Sequence, residues 1–390
     1  MRAKIVSALT MQKKRNMFQP AQTVEKCTSP TGCAPSVGIT EDEASFRKSK
    51  SKLPHLGVDL LGGDHLSSET LLETLLSIEK EIDVPFDLTV FSTPDLISSL
   101  ESFDSIHRGT LHLVKTEEVI TMDDDPLSAI RKKKGSSMIS GIELLKHEQI
   151  DAFISTGNTG ALVASAKLTL PMLQGINRSA LITLLPTAQE PVAVIDVGAN
   201  IECTPEHLVQ FAQMGVAYQK SRGISSPVVG LLNIGTEEKK GRSELRETYQ
   251  LLQQLYKGTD TFIGNIEGKE IFQGGVHVLV TDGFTGNVFL KTAEGISSFI
   301  LDTMHKNGPL LPFSKPLLDR LEAELSSAEY PGALLCGVDG IVVKCHGDAS
   351  PGAISAAAAA ALHLHQNHFL TKIKSELHST YTPHISKVGF

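Results

Sequence analysis

DAFISTGNTGALVAS (151–165) and VLVTDGFTGNVFLKT (278–292) carry one pattern twice. In each, a short apolar run meets G-x-T-G and then a segment compatible with a helix: Gly157-Asn158-Thr159-Gly160 and Gly283-Phe284-Thr285-Gly286. A strand, a glycine turn and a helix start aim unpaired backbone N–H groups and the positive end of a helix dipole at one spot, a natural anion site. Two such turns predict a cleft for a substrate bearing phosphate or carboxylate.

Working outward, the same texture recurs. Apolar runs at 55–60, 88–92, 111–115, 152–155, 180–185, 192–196, 228–233, 277–281 and 340–344 read as strands. Helical patterns fall between many of them, at 67–81, 136–147, 162–172, 205–220, 244–256 and 293–305, and the alanine run 356–361 opens a closing helix. Near-continuous apolar strands alternating with helices define an α/β protein with a mostly parallel, doubly wound sheet covered on both faces, a three-layer α/β/α arrangement. Such sheets place their chemistry beyond the carboxyl ends of strands. The polar clusters fall there: 59–64, 157–160, 196–200, 233–241, 282–287 and 344–347.

The chain has 390 residues, enough for one large α/β domain. Residues 1–52 lack sustained periodicity and are rich in Lys, Ser, Thr, Pro and Gln; they are expected to form a mobile extension, leaving 53–390 as a single catalytic domain with an amphipathic helical segment near 293–328. Net charge is −8, which disfavours nucleic acid as a partner, although Arg131-Lys132-Lys133-Lys134 is a local basic run. Five scattered cysteines without C-x-x-C argue against a disulfide framework and fit a reducing cytoplasm. Cys336, Cys345 and His346 lack a fourth ligand at matching spacing, so two half-buried thiols on neighbouring strands are the favoured reading and no metal is expected. No stretch reaches the roughly 18 to 20 apolar residues of a membrane span.

Local signatures of other chemistries fail. G-x-G-x-x-G is absent, and the 264–270 run is one residue short of a P-loop and ends in Glu270. His147-Glu148 has no second histidine at zincin spacing, and no G-x-S-x-G elbow exists.

The ordered motifs are more specific than any one of them. GVDLLGGD (57–64), RKKKGSSM (131–138), STGNTGALVASAKL (155–168), LQGINRSAL (173–181), DVGAN (196–200), NIGTEEKKG (233–241), FIGNIEG (262–268), TDGFTGNVFLKTAEG (281–295) and YPGALLCGVDGIVVKCHGDAS (330–350) together resemble the bacterial phosphate acyltransferases of phospholipid synthesis. The resemblance spans roughly 54–370. It implies a fold related to phosphotransacetylases and to the isocitrate and isopropylmalate dehydrogenases. It also implies acyl transfer from acyl-acyl carrier protein to inorganic phosphate without a cofactor, in a cytoplasmic homodimer that touches the membrane peripherally. The acyl phosphate would feed a membrane glycerol-3-phosphate acyltransferase making phosphatidic acid. The chain departs from the family pattern at Leu60-Leu61 and His65-Leu66-Ser67, and is short before Tyr330, which bears on acyl preference.

That reaction suits the residues. Phosphate is largely dianionic near neutral pH, so it needs placement, partial desolvation and oxyanion donors rather than a strong base. Asn158, Asn287, His346, Lys291 and Asp282 are the catalytic candidates. Gly157, Thr159, Gly160, Asp196, Asn200, Asn233, Lys240, Gly283, Thr285, Gly286 and Lys344 are candidates for holding substrate or phosphate. For the glycines, a turn requirement for positive φ is the alternative; for Asp196 and Asn200, a capped Asx turn; for Lys240, a solvated charge run beside Glu237 and Glu238. His346 is the candidate for protonating the departing thiolate, and Arg131–Lys134 for docking the acidic carrier protein. Leu310, Leu311, Phe313, Leu317, Leu318, Leu321 and Leu325 form an apolar stripe, read as a dimer or core face, or as an acyl-tunnel cover or membrane contact. A related dehydrogenase, an acetyl-CoA-dependent transacetylase and a silent lipid-synthesis scaffold are the rival readings.

Overall fold

The structure is a computed structural model that describes residues 53–63, 67–94, 100, 103–104, 106–307 and 332–380. The 1–52 extension and the 310–325 stripe lie outside the described residues. Strands are β1 His55–Asp59, β2 Asp87–Ser92, β3 Leu111–Lys115, β4 Ala152–Ser155, β5 Ala180–Leu185, β6 Val192–Ile195, β7 Val229–Leu232, β8 Phe262–Ile266, β9 Val278–Val280, β10 Gly332–Cys336 and β11 Ile341–Cys345. Helices are α1 Ser68–Glu81, α2 Pro126–Lys132, α3 Ser137–Lys146, α4 Thr159–Thr169, α5 Pro205–Ser221, α6 Ser243–Leu255, α7 Gly283–Asn307, α8 Pro351–Gln366 and α9 Phe369–Thr380.

All eleven strands join one sheet in the order β3-β2-β1-β4-β11-β10-β5-β6-β9-β7-β8. The sheet is parallel except at its centre, where β10 runs antiparallel to β11 and β5, and β5 antiparallel to β6. Three reversals in succession leave the two parallel halves running in opposite directions. The mostly parallel α/β expectation therefore holds. The apolar runs gave no sign of β8 and β10: Gly264 interrupts the first at φ 99°, and the second starts at a glycine.

Helices cover both faces. One core layer joins α1, α5, α6, α8 and α9 to the sheet through residues such as Leu75, Phe211, Leu252, Leu362 and Ile373; the other joins α3 and α4 through Ile142, Phe153 and Leu162. Long α7 differs. Its Phe284, Val288, Phe299 and Ile300 stay exposed, and it stands as a rod of roughly 37 Å by helix rise rather than as a packed layer.

Local chemistry sets the helix starts. Ser67 caps α1 through Thr70 N–H, Asp125 with Pro126 starts α2, and Thr204 with His207 forms a capping box on α5. Close packing shows why glycines sit at two core positions. A Cβ on Gly141 of α3 would lie 2.0 Å from the Phe153 ring, and one on Gly57 would lie 2.6 Å from Ile150 Cδ1 and 3.3 Å from the Phe153 ring. Gly141→Ala should therefore cost about 1–3 kcal/mol through overpacking, outweighing the helical gain of about 1 kcal/mol. Urea unfolding should show partial recovery on adding Phe153→Leu; a more stable Gly141→Ala would contradict this packing.

Candidate active site

The β4–α4 turn is held from both sides. Asn158 is the α4 N-cap: its Oδ1 accepts from Ala161 N–H at 3.1 Å. Its amide donates to the carbonyls of Thr121, Met122 and Asp124 at 3.4, 3.1 and 3.2 Å, tying down the loop before α2. This 8 %-exposed side chain directs both its amide and its oxygen at protein groups, so Asn158 positions the turn. Gly157 and Gly160 are close-approach glycines: a Cβ would meet Met138 Cε at 2.8 Å in one case and Pro126 Cγ at 2.7 Å in the other. Neither has a positive φ.

The second turn is anchored by a buried carboxylate. Asp196, 0 % exposed, accepts at Oδ1 from Leu181, Gly198 and Ala199 N–H at 2.9, 3.1 and 3.0 Å. Its Oδ2 accepts from Asn200 N–H at 2.8 Å and the Asn200 amide at 2.9 Å. Burial pushes this carboxyl up from its usual range, and the five hydrogen bonds pull against that. The Asn200 amide also reaches Ser179 O, and Asn200 O accepts from Gly283 N–H at 2.8 Å. The first turn of α7 lies directly on this knot. A Cβ on Gly286 would sit 1.9 Å from Asp196 O, and one on Gly283 would sit 2.5 Å from Asn200 O. Asp282 caps α7 through Thr285 N–H (2.8 Å) and the Thr285 hydroxyl (3.0 Å), and forms an ion pair with Arg242.

These contacts take up part of the cradle expected at both turns. The Ala161, Gly283 and Thr285 N–H groups have protein partners. Asp196, Asn200, Asp282, Gly283, Thr285 and Gly286 build the frame. Asn233 and Lys240 belong to a separate knot: the Asn233 amide donates to Lys240 O at 3.2 Å and Asn265 Oδ1 at 3.1 Å, while the Lys240 ammonium is half-exposed, 4.0 Å from Glu237. In the basic run, Lys133 binds Val119 O at 2.8 Å and Asp124 at 2.5 Å; Arg131, Lys132 and Lys134 are exposed.

The frame encloses a cleft of about 1120 Å³ over the central strands, roofed by α7. Thr159, Asn287, Lys291, Lys344 and His346 line it, so five of the sequence candidates meet there. Its remaining walls are largely apolar: Leu181, Leu184 and Leu185 of β5, Val197, Ala333 of β10, and Leu290, Ala293, Ile296 and Leu301 of α7. The Asn287 side chain has no hydrogen-bond partner among the described residues and stands near Gly198. Lys291 pairs with Glu294 at 2.8 Å, and its charge also acts on Asp348, the carboxylate bonded to His346. The α7 polar groups and the β11 loop thus share one end of the cleft. Lys344 is 8 % exposed and donates to the carbonyls of Thr156 (3.3 Å) and Cys345. Cys345 lines the same space, but burial pushes its thiol up to about 12, so it supplies no thiolate nucleophile. Cys336 and Cys345 lie buried on adjacent strands of the core. The cleft wall contributed by β5 was missed from sequence. Its unbroken apolar run was visible, but the antiparallel pairing that carries it to the centre was not.

The fold defines the class first. The chain superposes on a phosphotransacetylase from Streptococcus pyogenes with TM-score 0.52 at 14% identity, covering 84% of this chain and 100% of that one. It superposes on the EutD phosphotransacetylase of Staphylococcus aureus with TM-score 0.50 at 16% identity, covering 80% and 94%. At such identities the likeness speaks for the fold alone.

The family follows from closer relatives. The family model described as Fatty acid synthesis protein matches residues 55–372. A phosphate acyltransferase of Chlamydia pneumoniae is 39% identical over 332 residues, covering 83% of this chain and 98% of that protein. One from Thermoanaerobacter pseudethanolicus is 40% identical over 334 residues, covering 83% and 97%. The chain belongs to the phosphate acyltransferase family and is an acyltransferase of lipid synthesis.

Asn158 gives the direct test of the frame. Asn158→Ser keeps a capping oxygen but drops the three carbonyl contacts, and should cost about 1–3 kcal/mol. Hydrogen exchange should then quicken in the loop at 121–125 while α4 stays protected. Unchanged exchange there would contradict the tie.

Proposed function

We propose that the chain transfers a long-chain fatty acyl group from acyl-acyl carrier protein to inorganic phosphate, giving acyl phosphate and free carrier protein. One observation carries this: the cleft joins an apolar wall to a polar end holding Asn287, Lys291, Lys344 and His346. Leu181, Leu184 and Leu185 of β5 and Ala333 of β10 build the wall, and Leu290, Ile296 and Leu301 face it among the mixed side chains of α7. An acyl chain fits along the wall, and its thioester carbonyl would meet phosphate at the polar end. From Asn287 to His305 the roof runs about 27 Å at 1.5 Å per residue, and both residues line the cleft.

A phosphate oxygen attacks the thioester carbon, the C–O bond forms and the C–S bond breaks. The proton of hydrogen phosphate ends on the carrier thiol, so the equation balances without a cofactor. Lys344, Lys291 and Thr159 bind phosphate, and the Asn287 amide donates to the carbonyl oxygen as charge develops on it. His346, oriented by Asp348, passes a proton to the departing thiolate, whose ordinary pKa of roughly 8.5 asks for only a weak acid.

Exposed Arg131, Lys132 and Lys134 offer a landing patch for an acidic carrier, and Lys133 holds the loop beneath it. The exposed apolar stripe Phe284, Val288, Phe299 and Ile300 on α7 suits a second copy of the chain, or peripheral contact with a membrane where a glycerol-3-phosphate acyltransferase would take the product. No helix among the described residues is long and apolar enough to cross a membrane.

Purified protein incubated with palmitoyl-acyl carrier protein should release carrier thiol only when phosphate is present, with an equal amount of acyl phosphate. Asn287→Ala should slow turnover about 100- to 1,000-fold, as loss of an oxyanion donor does. Release with acyl-CoA but not with the carrier thioester would replace the donor. Phosphate-independent release, or none with either donor, would defeat the reading.

A further inference from the structure

The apolar wall of the cleft has a direction. Leu181 stands at its polar end: its N–H donates to Asp196 Oδ1 at 2.9 Å, and Gly198, two residues after Asp196, lies beside the Asn287 side chain. From there β5 runs away, and Leu184, Leu185, Pro186 and Thr187 carry the lining onward. At a strand rise of about 3.3 Å per residue, Leu181 to Leu185 covers about 13 Å.

Phe272 stands at the far end of that wall. It lines the cleft from the short 3-10 helix Ile271–Gln273 and is half-exposed. Several contacts fix it. Its neighbour Ile271 is fully buried in the core. The Phe272 carbonyl accepts from Ala188 N–H at 2.9 Å, next to cleft-lining Thr187. Its ring stacks on Phe289 of α7, with centroids 5.8 Å and planes 27° apart. Gly274, at φ 88°, turns the chain back where a Cβ would lie 2.7 Å from Gln189 Cγ, so the turn packs tightly on the loop after β5. A single exposed phenylalanine is ordinary on a protein surface. This one is held from the strand side and from the roof, where the apolar wall runs out.

We propose that Phe272 is a specificity-determining residue: its ring, backed by Phe289, ends the acyl-binding wall and sets the longest chain the cleft accepts. The inference rests on the reading that the cleft takes an acyl thioester with its carbonyl at the polar end. A saturated chain advances about 1.2 Å per single bond, as an extended backbone does at about 3.6 Å per three-bond residue. The β5 wall therefore holds roughly 11 bonds, and Pro186 and Thr187 add a few more before the ring is met. Each methylene laid on the wall strengthens binding roughly 4-fold. One that reaches the ring gains nothing and has to push it off Phe289.

The test follows phosphate-dependent carrier release by the full chain, using saturated acyl-carrier donors from shorter than the β5 wall to longer than palmitoyl. In the wild type, kcat/KM should climb with length, pass through a maximum and fall. Phe272→Ala should move the maximum to longer chains. It should raise the ratio of longest to shortest donor at least about 10-fold, as two further methylenes at roughly 4-fold each would. Phe272→Leu should move the maximum the same way by less, and Leu185→Phe, which adds bulk ahead of the stop, should move it to shorter chains. A ring that only stabilises the fold would change kcat/KM by one factor at every length. That uniform change, or a maximum unmoved in both Phe272 variants, would overturn the proposal. If Phe272→Ala fails to fold, the opposite shifts of Phe272→Leu and Leu185→Phe decide it. A wild type that transfers acyl groups with no maximum overturns the stop and leaves the transferase reading intact. One that transfers none at any length removes both.

Discussion

The carboxylate of Asp196 is fully buried and takes five hydrogen bonds from a single stretch of chain and the strand beside it. Groups so arranged are costly to separate, because each donor would lose a partner away from water. The knot they form is the platform on which α7 begins, and Gly283 and Gly286 are the residues that let the helix come down onto it. Move that platform and the roof moves: Asn287 and Lys291 reach the cleft only because the first turn of α7 is seated there.

The other half of the molecule repeats the device. Asp59 ends β1 as Asp196 follows β6, and each carboxylate steadies the glycine turn that follows the neighbouring parallel strand. One link runs through Ser155 to Gly157, the other through Asn200 to Gly283. The antiparallel centre sets the two halves in opposite directions, and the cleft lies where polar groups from both meet over β5 and β10. A polar end beside a long apolar wall follows from this placement, since the central strands were built as core.

The duplicated G-x-T-G pattern made the doubly wound architecture legible, and the ordered polar clusters pointed to the family. The working residues were only partly legible. Thr159, Asn287, Lys291, Lys344 and His346 do line one space, because each lies at or just beyond a strand end or in the following helix. Asn158 and Asp282 serve as helix caps, a role the sequence could not separate from ligand binding because both demand the same residue types at the same place. For the glycines, the sequence offered positive φ and anion contact, while the space around Gly286 also demands close approach of a helix to a loop. Asn233 looked like part of the cleft, but a side-chain bond to Asn265 on the unforeseen β8 draws it into another knot. Contacts between distant segments are what a single sequence hides best.

The central claim is that one cleft holds both the acyl chain and the groups that act on its carbonyl. Photolabelling with a long-chain acyl thioester carrying a diazirine near its methyl end, mapped by mass spectrometry, tests this most directly. The account predicts labels on cleft residues of β5, β10 and the inner face of α7, such as Leu185, Ala333 and Leu301, with protection by unlabelled acyl thioester. Labels confined to Phe284, Val288 and Phe299 on the outer face of α7 would contradict it.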